Sequence, residues 1–176
     1  MPEDLKQYIR SIKDFPKEGI MFRDITTLLQ DPVPLKLTLQ QLYENCKDLD
    51  VNKVVGIEAR GFIFGALLAD KLDVGFAPIR KPGKLPAEKV QESYTLEYGT
   101  DTIEIHKDAI KPGEKVLIHD DLLATGGTAK AAANLVEKLG GKVIQFSFIV
   151  ELSFLNGRKL LPNYNVKSLV DYDSED

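Results

Sequence analysis

Cysteine and histidine are nearly absent, with one Cys and two His in 176 residues. A lone thiol, Cys46, cannot close an intrachain disulfide, and one thiol with two imidazoles cannot assemble a usual Cys/His zinc site. A reducing compartment is the expectation. An excess of positive charge is also missing: Lys+Arg 23 against Asp+Glu 27 leaves a net charge of -4. Such a field repels a phosphate polymer, so nucleic acid is not expected as a partner. No apolar run approaches the roughly 20 residues that a membrane-spanning helix needs, the longest near-continuous one covering only 61–69. The first ten residues are charged and lack the apolar core of a secretory signal, which makes the expected location cytoplasmic. Glycosylation sequons, internal repeats and low-complexity blocks are missing as well.

What is present suits one soluble domain over 1–176: hydrophobic residues make up 43% and charged residues 28%, with Gly 13 and Pro 9. Leu5, Tyr8, Ile9 and Ile12 recur at helical spacing and predict a short helix ending before Pro16, with a loop over 15–24. A second helix is expected from about Pro34 to Lys47, with Cys46 as a small apolar packing residue near its end. Val54 to Ile57 reads as a buried strand, 61–71 as a helix and Val74 to Ile79 as a strand, which together form a parallel crossover unit. Residues 93–97 and 102–106 alternate around Gly99-Thr100-Asp101 as a hairpin. Lys115 to His119 predicts a strand, Thr128 to Leu139 a helix closed by Gly140-Gly141, and Val143 to Val150 a further strand. The acidic tail 171–176 is expected to fray. This alternation predicts an α/β protein, a parallel-centred sheet with flanking helices, binding ligands at the loops that leave the strand C-termini.

The chemistry concentrates in 116–128, where an apolar strand runs into Asp120-Asp121 and then Leu122-Leu123-Ala124-Thr125-Gly126-Gly127-Thr128 at the start of a helix. Backbone N–H groups of a Thr/Gly loop at a helix N-terminus form an anion cradle, and the hydroxyls of Thr125 and Thr128 add donors. No lysine follows the glycines, so the G-x-x-x-x-G-K-[ST] triphosphate loop is excluded. Adjacent carboxylates repel a bare phosphate, which assigns Asp120 and Asp121 to sugar hydroxyls, directly or through a metal. A diol beside a phosphate means a ribose 5-phosphate unit. Glu58-Ala59-Arg60 also follows an apolar strand, and Arg80, Lys81 and Lys84 concentrate positive charge after another; both are places where an anion can dock. His119 and His106 read as packing or surface residues.

The segment Asp120 to Thr128 resembles the phosphoribosyl-pyrophosphate signature of the type I phosphoribosyltransferases. The resemblance extends through Asp14-Phe15-Pro16, Phe22-Arg23-Asp24-Ile25, 56–62, 80–86 and 93–99. It implies that fold, with a small hood made by an N-terminal segment of about 1–30 and a flexible loop of about 88–105. It implies transfer of the 5-phosphoribosyl group to adenine, with Mg2+ held mainly by substrate, in a homodimer. The implied 5'-phosphate site is Ala124, Thr125, Gly126, Gly127 and Thr128. Glu58, Ala59, Arg60, Arg80 and Lys84 would meet pyrophosphate, with a cis peptide between Glu58 and Ala59. Met21, Phe22 and Arg23 would hold the base, Leu122 covering its other face. Glu97 would accept the proton and Asp120 and Asp121 would stabilise the ribose cation. Another nucleobase, or a regulator that senses phosphoribosyl pyrophosphate without turnover, remains open on these residues alone.

Overall fold

The computed structural model describes residues 4–96 and 98–176. Its centre is a run of apolar strands without alternation: Val54 to Ile57 are all buried in β3 (Lys53–Ile57), as are Val116 to His119 in β7 (Lys115–Leu123). Strands of that kind need cover on both faces, which a parallel sheet with crossover helices supplies. With β4 (Gly75–Ile79), β8 (Lys142–Leu152) and β9 (Val166–Tyr172), they form a sheet in the order β4-β3-β7-β8-β9, every pair parallel. Adjacent residues go to opposite faces. Val55 and Ile118 meet Ala132 and Val136 of α4 (Gly127–Lys138), while Val54 and Leu117 belong with Phe64 and Leu68 of α3 (Gly61–Lys71) and Leu42 of α2 (Pro32–Glu44). A four-residue helix, α1 (Thr26–Leu29), precedes α2.

Two antiparallel ribbons flank the sheet: β1 (Arg10–Lys13) with β2 (Met21–Asp24), and β5 (Lys89–Thr95) with β6 (Thr100–His106). The second is tied to the core by an antiparallel bridge between Arg80, just past β4, and Glu104. Its other edge lies on α4, where the Lys138 ammonium donates to Glu92 at 2.8 Å and to the Gln91 carbonyl at 2.9 Å.

Several expectations change. The N-terminal helix is a single 3-10 turn, Leu5–Tyr8; the chain is extended at Ile9 and enters β1. Pairing with β2 overrides the helical spacing, and the Arg10 guanidinium pins the register on Asp24 at 2.5 and 3.1 Å, so part of the expected 15–24 loop is strand. The hairpin turns earlier than Gly99-Thr100-Asp101, since Thr95 pairs with Thr100 and Tyr94 with Asp101, which places Thr100 and Asp101 in β6. Strand β7 continues through the acidic pair to Leu123. The start of the tail does not fray: Asp171 and Tyr172 are in β9, a strand the sequence reading missed although Val166, Val170 and Tyr172 keep a two-residue period. The Tyr172 ring carries the Lys6 and Arg23 cations at 4.4 and 3.9 Å. Cys46, just past α2, is buried with its thiol pushed up to about 11 by burial. No helix among the described residues is long and apolar enough to cross a membrane.

Behind the end of β7, Glu151 is 5% exposed and accepts from Arg158 at 2.7 and 2.8 Å and from the Ser168 hydroxyl at 2.7 Å. The Arg158 hydrogen bond is the main reason its carboxyl lies below the usual range. A depressed folded-state pKa stabilises above the ordinary carboxylate range and is lost as pH falls through the folded value. Arg158→Ala should therefore lower stability at pH 7 by about 1.5–3 kcal/mol, at about 2–4 °C in Tm per kcal/mol. Thermal unfolding at several pH values checks this: the gap from the parent should narrow in acid, and an unchanged Tm at pH 7 contradicts it.

Candidate active site

Three neighbouring strands end on one side of the sheet, and a cavity of about 570 Å³ opens there. Residues 58–60 follow β3, Arg80 and Lys81 follow β4, and 124–126 link β7 to α4; all of them line it. This is the edge where ligands enter parallel α/β sheets. β3 stops pairing with β7 at Gly56 opposite His119, whereas β8 accompanies β7 to Leu123. Asp120 and Asp121 thus sit on an overhang, paired on one side and open to 58–60 on the other.

The two carboxylates differ. Asp121 is buried, and its Oδ2 lies 2.7 Å from Nε of Arg60. Asp120 is recessed with part of its surface in the cavity, and one of its oxygens accepts the Asp121 N–H at 2.8 Å. Burial first, and the neighbouring Asp121 charge second, push the Asp120 carboxyl well above the usual range. A bound cation would reverse that sign. The oxygen donors here fit a hard cation shared with a ligand, and no cluster of three or more His, Cys, Asp or Glu among the described residues could hold a metal by itself.

The peptide between Glu58 and Ala59 is cis. Glu58 accepts from Arg80 at 2.7 and 3.1 Å and from the Lys81 N–H at 2.7 Å. Burial alone would raise its pKa, but these bonds leave it lowered. Glu58 therefore aims Arg80 and ties down the next loop, while a carboxylate in direct contact with pyrophosphate would be repelled. Glu104 accepts the Gly83 N–H at 2.9 Å and holds the same loop from the other side. Lys84 is exposed on that turn and is not part of the cavity wall.

In the loop before α4, Gly126 has φ +91°, and a Cβ there would lie 2.5 Å from the Gly157 carbonyl oxygen, so only glycine fits. The turn leaves the first N–H groups of α4 without helical acceptors, facing the cavity that Thr125, Gly127 and Thr128 line. Leu122 lines it too. Met21, Phe22 and Arg23 do not: they belong to β2, where the Phe22 ring lies 5.3 Å from the guanidinium carbon of Arg60, itself a lining residue. The Arg23 side chain turns away to Ser11 and Tyr172. Glu97 lies outside the described residues. Sequence reasoning missed Tyr94, Leu96 and Asp101 as lining residues; the alternation of the hairpin marked one face, yet nothing local told that the face covers α4.

The chain matches the family model described as "Phosphoribosyl transferase domain" over residues 36–173. By that match it belongs to the phosphoribosyltransferase family. It is 54% identical over 169 residues to an adenine phosphoribosyltransferase of Christiangramia forsetii, covering 96% of this chain and 99% of the relative. The crystal structure of adenine phosphoribosyltransferase from Thermoanaerobacter pseudethanolicus superposes with a TM-score of 0.95 at 51% identity, over 98% of this chain and 100% of that one. That from Saccharomyces cerevisiae, solved with an imino-altritol bisphosphate and adenine, gives 0.88 at 42% identity, over 94% and 96% of the two chains. The type I fold expected from the sequence is the fold observed.

Directly behind the acidic pair, His119 is fully buried, and neither its ring nitrogens nor the Ser147 hydroxyl beside it in register has a hydrogen-bond partner among the described residues. Burial pulls its pKa from 6.5 to about 4, against the opposing pull of Asp121. The unfolded chain then takes up a proton first, so stability falls as pH drops from about 6.5 toward 4. The loss attributable to this residue is about 2 kcal/mol at pH 5. In His119→Val that acid-side loss should be missing, whatever its stability at pH 8. Denaturant unfolding at pH 8 and pH 5 measures it, and parallel losses in both proteins contradict it.

Proposed function

We propose that this protein is a purine-salvage enzyme that transfers the 5-phosphoribosyl group from phosphoribosyl pyrophosphate to adenine, giving AMP and pyrophosphate. The observation that carries the reading is one cavity with an N–H-rich loop at one end, Arg60 and Arg80 at the other and an acidic pair between them. That order matches a ligand with a 5'-phosphate, a ribose diol and a pyrophosphate. The adenine bound to the yeast relative supports the same acceptor here.

Ala124 to Thr128 fix the 5'-phosphate, and Arg60 and Arg80 take the pyrophosphate, joined by Lys84 when its turn closes in. Glu58 and Ala59 contribute through the loop's backbone and through Arg80. As the bond from the anomeric carbon to pyrophosphate oxygen loosens and the bond to the base nitrogen forms, positive charge grows on the ribose. Asp120 and Asp121 stabilise it. Phe22 stacks on the base, main-chain groups of Met21 and Arg23 read its edge, and Leu122 covers the opposite face. The proton leaving the base nitrogen goes to Glu97, the role that the family resemblance implies for it. The N-terminal ribbon and the β5–β6 hairpin act as the hood, excluding water from the reacting carbon. Asp120 offers an oxygen to a magnesium ion that would be held mainly by the substrate, and such an ion would supply charge neutralisation on the pyrophosphate. A homodimer and a cytoplasmic location complete the reading, supported by the exposed Ile63 and Leu67 one turn apart on α3 and by the single buried thiol.

A pyrophosphate-release assay with phosphoribosyl pyrophosphate, magnesium and a panel of purines tests the activity. Adenine should be the best acceptor and excess chelator should stop turnover; a kcat/KM for hypoxanthine equal to that for adenine overturns the specificity, and binding without turnover overturns the enzyme. The two kinds of carboxylate separate in single-turnover rates. Asp120→Asn should cost about 10²–10³ in rate with every base, whereas the defect of Glu97→Gln should shrink with a purine analogue whose attacking nitrogen is more acidic. An equal Glu97→Gln defect with both bases removes Glu97 as the proton acceptor.

A further inference from the structure

The β5–β6 hairpin is held at its root and at its tip by different means. At the root, Glu92 and the Gln91 carbonyl are bonded to Lys138 of α4, and Glu104 bridges Arg80. None of these ties involves the phosphate loop. Toward the tip, the contacts go to the two anion-binding ends of the cavity. The Tyr94 ring lies against the first residue of α4, where a Cβ on Gly127 would come within 3.2 Å of it. Thr128 donates its hydroxyl proton to the Tyr94 oxygen at 2.9 Å, and Tyr94 donates in turn to Asp101 at 3.2 Å. Asp101 also lies 3.9 Å from the Lys81 ammonium. Beyond these contacts Leu96 and Tyr98 are exposed.

A threonine hydroxyl has a single proton. It cannot serve Tyr94 and a phosphate oxygen together, and the charged phosphate is the stronger acceptor. Burial raises the Tyr94 pKa further above its ordinary value, so the phenol keeps its proton for Asp101. A pyrophosphate group likewise competes with Asp101 for Lys81. We propose that Tyr94 is a positioning residue that latches the hairpin to the 5'-phosphate loop through Thr128, and that phosphate binding releases the latch. A ligand with phosphate at both ends frees both distal ties while the root anchors hold, so the tip can move over the base only after that ligand is seated. The proposal rests on the assignment of 124–128 to the 5'-phosphate.

The test uses Tyr94→Phe, which keeps the ring against Gly127 and deletes the acceptor, with ribose 5-phosphate as probe. Calorimetry should show binding about three- to tenfold tighter than in the parent, because Thr128 no longer has to give up a partner. Hydrogen exchange in the free variant should already be faster at the distal hairpin amides of 93–95 and 100–102, and ribose 5-phosphate should speed exchange there in the parent alone. Weaker binding by Tyr94→Phe makes Tyr94 a direct phosphate ligand and overturns the latch. Equal hairpin exchange in the two free proteins overturns it as well. If ribose 5-phosphate binds neither protein while both unfold at the parent's Tm, the phosphate-loop assignment fails and the latch falls with it; binding to both with no difference rejects the latch alone.

Discussion

The parallel pairing of β3 with β7 is the constraint on which the site depends. Because the two strands run the same way, their C-terminal loops emerge side by side, and the register that sets Gly56 opposite His119 leaves the next residues of β7 without a neighbour on that side. Into that gap comes Arg60 at the start of α3, whose guanidinium meets Asp121 at 2.7 Å. A slip of one residue would turn Asp121 to the opposite face and direct Leu122 to the arginine. Burial on both faces resists the slip, since it would also exchange the apolar sets that meet α3 and α4.

Charge around the cavity is arranged in cross-strand pairs. Arg80 meets Glu58, Arg60 meets Asp121 and Lys81 lies near Asp101, each pair joining two different segments of the wall. A chain with net charge -4 thereby holds a local group of cations without mutual repulsion. The pairs also fix the guanidinium planes before a ligand arrives, which reduces the ordering cost of binding. Their strengths differ in a useful way: the two arginine pairs are short and partly buried, while Lys81 is long, exposed and easily exchanged.

The strands and helices of the sheet were legible because their apolar runs are long and bounded by turns, as in Val54 to Ile57 and Lys115 to His119. The loop before α4 was legible as a candidate anion cradle because its determinants are local: N–H groups at a helix start and a glycine that tolerates φ +91° lie within a few residues of one another. The N-terminal turn and strand were misread because Leu5, Tyr8, Ile9 and Ile12 suit either a helix or a ribbon edge, and pairing with Met21 to Asp24 decides between them. β9 has a weak signature in the sequence because it is an edge strand with residues such as Lys167 and Asp171 facing solvent.

The order of chemical groups along the chain, the cradle after β7, the acidic pair and the basic segment after β4, is a property of the amino-acid sequence, because each is a short motif whose donors and charges act through adjacent residues. Tertiary structure alone decided which of them meet. Glu58 faces Arg80 across 22 residues, Tyr94 reaches Thr128 across 34, and Phe22 comes under Arg60 from a separate ribbon. Those contacts depend on sheet order and on the hairpin's seat against α4, which arise from the packing of distant apolar faces and leave no spacing in the chain to be read.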